Sequence, residues 1–188
     1  MPLREPLDAE VVLSDTQLDL FATENNLPPP PRVRVIYTAA FQQRLQPEME
    51  KMILRALKEF PELDNATLTI GYTKRHLGVA IRDNMTIRLN PHHPSYNTIG
   101  HELTHLLQGR GAIPSGEVQC DIWTLARSAL FLDEAPAYLP IGTKIREHWP
   151  RYARRVRELC LSAIHQRQTR RRYIQWLKRE LRILARAM

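Results

Sequence analysis

The sequence predicts an α+β fold: a small antiparallel or mixed β-sheet, an amphipathic helix that carries a His-x-x-x-His pair, and helices at the C-terminal end. Short segments of alternating apolar residues occur at 33–37, 66–72 and 77–90, the pattern of strands with one buried face. Longer stripes at helical spacing occupy 47–60, 95–109 and 117–131, and beyond residue 141 apolar residues recur at intervals of three and four. With 188 residues and 43% hydrophobic content, the length suits one domain, or one domain with an appendage, and a sizeable core.

Taken in order, residues 1–31 are weakly patterned and end in Leu27 and four prolines, a stiff extended spacer, so they are expected to form an N-terminal arm with an inhibitory or partner-binding extension as the functional alternative. A compact domain over 32–140 follows. It opens with a strand at Val33–Tyr37 and a helix that starts near Pro47 and buries Met49, Met52, Ile53, Ala56, Leu57 and Phe60. Ala66–Tyr72 is a second strand. Leu77, Val79 and Ile81 alternate up to Asp83-Asn84, a candidate two-residue hairpin turn, from which Met85–Asn90 returns with Met85, Ile87 and Leu89 on its buried face. Pro91 to Pro94 breaks the chain, Ser95 is a plausible N-cap, Ile99, Leu103, Leu106 and Leu107 line the next helix, and Gly109 supplies its stop. A glycine-rich turn then leads to a helix from Glu117 to about Phe131 with Val118, Ile122, Leu125, Ala126 and Ala129 inward, and Asp133–Pro140 is a loop.

The helix after Ser95 reads His101-Glu102-Leu103-Thr104-His105. Positions i and i+4 share a helix face, so both imidazoles can reach one zinc ion while Glu102 stands beside the water that such an ion activates. With 7 His in 188 residues, the pattern arises by chance in roughly 2 per cent of such chains, so coincidence is a poor explanation. A zinc site built for chemistry takes a further protein ligand and leaves one position for solvent. Glu117 is the chosen third ligand, because the turn from Gly109 to Gly116 is long enough to bring the next helix back. Asp121, at i+4 from Glu117, can accept the second ring N–H of a ligating histidine, and is the reserve candidate for the metal itself.

These residues resemble the gluzincin-type zinc metallopeptidases, with His101-Glu102-x-x-His105 followed by Glu117-x-x-x-Asp121. Ile87-Arg88-Leu89-Asn90-Pro91, leading into the motif, is also similar to the frame of SprT-like proteases, and the one-domain minigluzincins are closer in size. The resemblance covers roughly residues 85 to 121. It implies a peptidase with one zinc ion per chain, Glu102 as general base, Glu117 as a metal ligand and Asp121 behind a histidine. It also implies that Met85–Asn90 is the edge along which an extended peptide lies antiparallel. Gln108 and Gly111 stand where a metzincin has Gly and His, and the next histidine, His148, lies well beyond the place of the usual third ligand of SprT-like sites. The expected activity is hydrolysis of a peptide or protein substrate with no covalent enzyme intermediate. Tyr138 and His148 are candidates to steady the oxyanion, while His92 and His93 read as solvated turn residues, with extra metal ligands as the alternative.

Composition narrows the setting. No window approaches eighteen consecutive apolar residues, and the N-terminus lacks a basic-then-apolar leader pattern, so a soluble cytoplasmic protein with no membrane partner is expected. Cys120 and Cys160 are too few for a disulfide scaffold and read as reduced thiols, Cys120 as a small buried hydrophobe beside Asp121, with a place near the metal as the alternative. From Lys144 onward there are 14 Lys and Arg against 3 Asp and Glu, a net of +11, while the remaining chain has 13 against 17, a net of −4. Residues 141–188 therefore form a basic helical extension, as one long helix or two, whose seam is Ile145, Trp149, Tyr152, Val156, Leu159, Ala163, Tyr173, Ile174, Leu177, Leu181 and Leu184. Arg167, Arg170, Arg171 and Arg172 are the candidate surface for nucleic-acid phosphates, with a solvated arginine face as the equal alternative. The alternative function is accordingly a nucleic-acid-associated or regulatory protein whose zinc site is structural or silent.

Overall fold

The alternating segments form one four-stranded sheet in the structure, a computed structural model that describes residues 33–186. The arm and spacer expected at 1–31 lie outside the described residues. The strands are β1 (Arg34–Tyr37), β2 (Thr67–Tyr72), β3 (Gly78–Ile81) and β4 (Thr86–Leu89). The helices are α1 (Ala39–Gln42), α2 (Pro47–Leu57), α3 (Tyr96–Gly109), α4 (Glu117–Arg127), α5 (Thr143–Glu147), α6 (Trp149–Arg167) and α7 (Tyr173–Arg186). The class is the α+β arrangement that the sequence predicts, and the sheet is mixed. Its order is β1-β2-β4-β3, with β1 and β4 each parallel to β2 and β3 antiparallel to β4. Register aligns the apolar positions, Val35 beside Leu68 and Ile70 beside Ile87. A slip of one residue would turn Leu68, Ile70, Ile87 and Leu89, each at most 1% exposed, out of the core.

Two details of the sheet correct the sequence reading. β4 lies inside, between β2 and β3, so the strand at Met85–Asn90 is not an edge; the edges are β1 and, beside the cleft, β3. Alternation reveals which residues face the core but not which neighbour a strand pairs with, and that is where the expectation failed. The hairpin is also wider than two residues. Arg82–Asn84 form a 3-10 turn and Met85 takes a left-handed φ of 50°, which removes it from the alternation and leaves it half-buried.

α3 is held at both ends. Ser95 Oγ accepts from the Thr98 amide at 3.0 Å, and Asp133 accepts from the amides of Tyr96 (2.6 Å) and Asn97 (2.8 Å), so the first free N–H groups are capped and a carboxylate meets the positive end of the helix. At the other end, Ala112 N–H reaches Leu107 O and Gly111 N–H reaches Gln108 O, a Schellman closure that needs the left-handed Gly111 (φ 72°). Gly111, not Gly109, is therefore the stop. Gly109 is inside the helix, where an added Cβ would stand 2.8 Å from Arg82 Cβ.

α4 ends at Arg127, short of the expected Phe131. Ser128 is extended and its hydroxyl caps a 3-10 segment, Ala129–Leu132, which leaves Ala129 exposed and sends Phe131 into the core. Arg127 closes this region: it reaches both carboxylate oxygens of Glu62 (3.0 and 2.7 Å) and the carbonyl of Glu59 (2.7 Å), and lies 4.4 Å above the ring of Phe60.

The sheet, α2 and α3 enclose one apolar cluster, and α4 to α7 a second. Ile122 and Leu125 of α4 pack with Ile145, Trp149, Tyr152, Val156 and Leu177, so the chain beyond Pro140 shares a core with the helix that carries Glu117 and Asp121. The predicted seam is buried except for half-buried Ile174 and Leu184. Among the described residues, no helix is long and apolar enough to cross a membrane.

Replacing the Asp133 cap should loosen α3 at its start. Asp133→Ala is expected to lower unfolding free energy by about 1–2 kcal/mol in urea titration. The Glu62 pair has a pH signature. Burial would raise its carboxyl, yet the hydrogen bonds and charge of Arg127 hold it below the ordinary 4.5. A depressed folded value means the stabilisation is present above 4.5 and is lost as the pH falls through that lower value. The acid-range slope of unfolding free energy should therefore be shallower in Glu62→Gln than in the parent, measured from about pH 6 down to about pH 3.

Candidate metal centre

α3 and α4 pack side by side with the reversing turn at one end, and their facing residues converge on one point. Glu117 Oε2 lies 3.1 Å from His101 Nε2 and 3.1 Å from His105 Nε2, and the two rings stand edge to face at 4.7 Å between centroids. The far nitrogen of each ring has its own partner. His101 Nδ1 meets Asp121 Oδ1 at 2.8 Å, and the other Asp121 oxygen accepts the backbone amides of Tyr138 (2.7 Å) and Leu139 (2.6 Å). His105 Nδ1 meets Gln108 Oε1 at 2.7 Å, and the Gln108 amide nitrogen donates to the carbonyls of Pro114 (2.7 Å) and Gly116 (3.0 Å).

These partners set the tautomers. A carboxylate only accepts, so His101 Nδ1 carries a proton. The Gln108 nitrogen is committed to two carbonyls, so its oxygen faces His105; Arg82 Nη2, a donor only, lies 3.2 Å from the same Nδ1, and the shorter Gln108 bond, at 2.7 Å, puts the proton on that nitrogen. In the neutral rings both Nε2 lone pairs then point at the same carboxylate oxygen, which is repulsive unless a proton or a metal cation lies among them. Burial holds His105 below the usual histidine range, and the charges of His101 and Arg82 add to this, which favours the neutral ring. Burial acts in the same direction on His101, but the hydrogen bond and charge of Asp121, with Glu102 and Glu117, outweigh it and raise that ring. The site as a whole attracts positive charge. Its two nitrogens and one oxygen fit a divalent metal: around a tetrahedral zinc, neighbouring ligand atoms stand roughly 3.3 Å apart.

His101, His105 and Cys120 also bring donor atoms within 4.8 Å of one another, a second potential ligand set. The thiol is the weaker third member. Cys120 is fully buried and its Sγ donates to His101 O at 3.1 Å, and burial together with Asp121, Glu102 and Glu117 pushes it well above the ordinary thiol range. A thiol ligand must lose its proton, whereas a carboxylate has none to lose.

A cleft of about 370 Å³ opens over this cluster, lined on one side by β3 with His76 and Leu77 before it, on the other by Ala137 and Tyr138, with Arg82 and Thr98 in its wall. Glu102 is at its floor, 6% exposed, and burial raises its carboxyl to about 7, with the charge of Glu117 adding and that of His101 and the Ala80 amide opposing. β3 can approach this closely because residue 78 is glycine: a Cβ there would lie 2.6 Å from Glu102 Oε1. Tyr138 is 53% exposed and its ring stacks on His101 at 5.6 Å. Burial, with Glu117 and Asp121, raises its phenol, so it remains a proton donor at the rim.

The structure thus brings together His101, Glu102, His105, Glu117, Asp121 and Tyr138. His148 is not with them; it is exposed at the junction of α5 and α6 and does not line the cleft, because the helix it precedes runs with the second core. His92 and His93 are exposed in the turn after β4, and Arg167, Arg170, Arg171 and Arg172 are exposed around the α6–α7 turn. Gln108, Gly78 and Arg82 escaped the sequence reading. Gln108 had a signal, three residues after His105 on the same helix face, whereas the place of Gly78 depends on strand pairing.

The two ligand sets separate by substitution. Glu117→Ala should weaken zinc binding by about 100-fold or more, measured by competition with a chromogenic chelator, while Cys120→Ala should bind as the parent does. The reverse outcome would assign the thiol to the metal.

Comparison of the chain with protein-family models, with characterised proteins and with solved structures gives no significant match.

Proposed function

We propose that this protein is a zinc-dependent metallopeptidase in which His101, His105 and Glu117 hold the metal and Glu102 moves the proton. The observation that supports this reading most is the place of Glu102, a carboxylate at the floor of an open cleft, next to three converging ligand atoms and not among them. When bound, zinc supplies Lewis acidity, polarising a carbonyl and lowering the pKa of a coordinated water to about 7.

Glu102 takes the proton of the attacking water as the water oxygen joins the peptide carbonyl carbon. It then gives that proton to the amine as the C–N bond breaks, and the products are one carboxylate and one amine. Burial raises the Glu102 carboxyl, the direction needed by a group that must hold a proton between the two transfers. Asp121 and Gln108 keep the ring protons on the Nδ1 atoms, which leaves the Nε2 lone pairs for the metal. The Tyr138 phenol, at the rim and protonated, is placed to donate to the oxygen that becomes negative. An extended substrate pairs along β3, an edge strand among the described residues, in the role expected of Met85–Asn90.

A second reading, a nucleic-acid-associated or regulatory protein with a structural or silent zinc site, is favoured by a separate observation. Arg167, Arg170, Arg171 and Arg172 are all exposed, and none forms an ion pair with a carboxylate among the described residues.

Purified zinc-loaded protein is expected to cleave an unstructured peptide library. Glu102→Gln should retain about one zinc per chain by elemental analysis and lose about 100- to 10,000-fold in cleavage rate. Cleavage retained by that variant, or absent from the zinc-loaded parent, would remove the peptidase reading.

A further inference from the structure

A cavity of about 280 Å³ lies at the α6–α7 turn, lined by Arg170, Arg172, Gln175, Trp176 and Arg179. We propose that it binds a nucleotide unit, with the phosphate among the three arginines and the base against Trp176. This extends the second reading above and is independent of the metal centre.

Three exposed arginines line this one shallow opening, and among the described residues a single carboxylate, that of Glu180, pairs with any of them. Arg179 reaches Glu180 Oε1 at 3.2 and 3.0 Å, while Arg170 and Arg172 have no carboxylate partner among the described residues. A phosphate supplies the missing charge and several acceptor oxygens, and the planar guanidinium can donate to two of them at once. The cavity also opens at the first turn of α7, where the helix dipole adds positive potential.

Inorganic phosphate alone would leave Trp176 unused. That side chain is half-buried, packed against the second apolar cluster while it lines the cavity, so its ring is held before any ligand arrives. A base stacked on an aromatic ring gains about 5- to 100-fold in affinity, whatever the base. Gln175 beside it offers both a donor and an acceptor to the base edge. The same chemistry is present in a free nucleoside monophosphate and in one unit of a single strand, and exposed Arg167 and Arg171 adjoin the turn for further phosphates.

The test uses the full chain, a fluorescent single-stranded oligouridylate followed by anisotropy, and AMP followed by quenching of tryptophan emission. Arg170→Gln with Arg172→Gln should weaken oligonucleotide binding at least about 10-fold and lower the log–log salt slope by about 1.4. Arg151→Gln with Arg154→Gln, at the other end of α6, removes the same charge and should cost less than half as much on the logarithmic scale. Trp176→Leu should weaken binding about 5- to 100-fold. Trp176→Phe should keep most of the affinity and lose the quenching. Quenching by AMP identifies the free nucleotide as a ligand, and binding of the oligonucleotide alone identifies the strand unit. Equal loss from the two arginine pairs, equal affinity for a duplex of the same length, or a folded Trp176→Leu that binds like the parent would overturn the proposal. Binding of neither AMP nor the oligonucleotide overturns it too, and should Trp176→Leu not fold, tryptophan quenching by whichever ligand binds that persists in Trp176→Phe overturns it.

Discussion

One carboxylate oxygen, equidistant from two imidazole nitrogens, is the constraint on which the rest of the site depends. Glu117 Oε2 can stand 3.1 Å from both Nε2 atoms only if positive charge is shared among them. The fold prepares for this from behind. Asp121 fixes the proton of one ring, and Gln108 that of the other. These two residues are in turn fastened to backbone on either side of α4, Asp121 through the amides of Tyr138 and Leu139 and Gln108 through the carbonyls of Pro114 and Gly116. A buried charge is costly unless its hydrogen bonds are made. The loops at both ends of α4 are thus held by the same bonds that orient the histidines, and site and fold are one network.

Glu102 and Asp121 show how environment divides the work of two buried carboxylates. Asp121 is surrounded by donors that keep it an acceptor. Glu102 is buried beside the charge of Glu117 at an opening to the cleft, and against the pull of His101 and the Ala80 amide its carboxyl rises to about 7. Its room is made by the missing side chain of Gly78. A mobile proton needs the second environment, and a fixed tautomer the first.

The C-terminal helices serve the site indirectly. α4 turns His-facing carboxylates to one side and Ile122 and Leu125 to the other, where α5 to α7 cover them. Covering α4 needs only an apolar seam, so the outer faces of these helices are free to carry arginine. That is why a net of +11 from Lys144 onward coexists with a candidate metal centre that holds several carboxylates in a remainder that carries −4.

Periodicity and local chemistry determined a good deal from the sequence by itself. The alternating strands, the stripe of α2, the Ser95 cap, the seam of α6 and α7, and the i, i+4 placement of His101 with His105 and of Glu117 with Asp121 all follow from repeat lengths of two and 3.6. Tertiary structure decided what repeat length does not contain. It placed β4 inside the sheet and gave the edge beside the cleft to β3, ended α4 at an extended Ser128, and moved the helix stop to Gly111. It left His148 outside the cleft and brought Gly78 and Gln108 into the site. The physical reason is that periodicity reports which face of an element is buried, while pairing partners, close approaches and shared ligands depend on how separate elements meet.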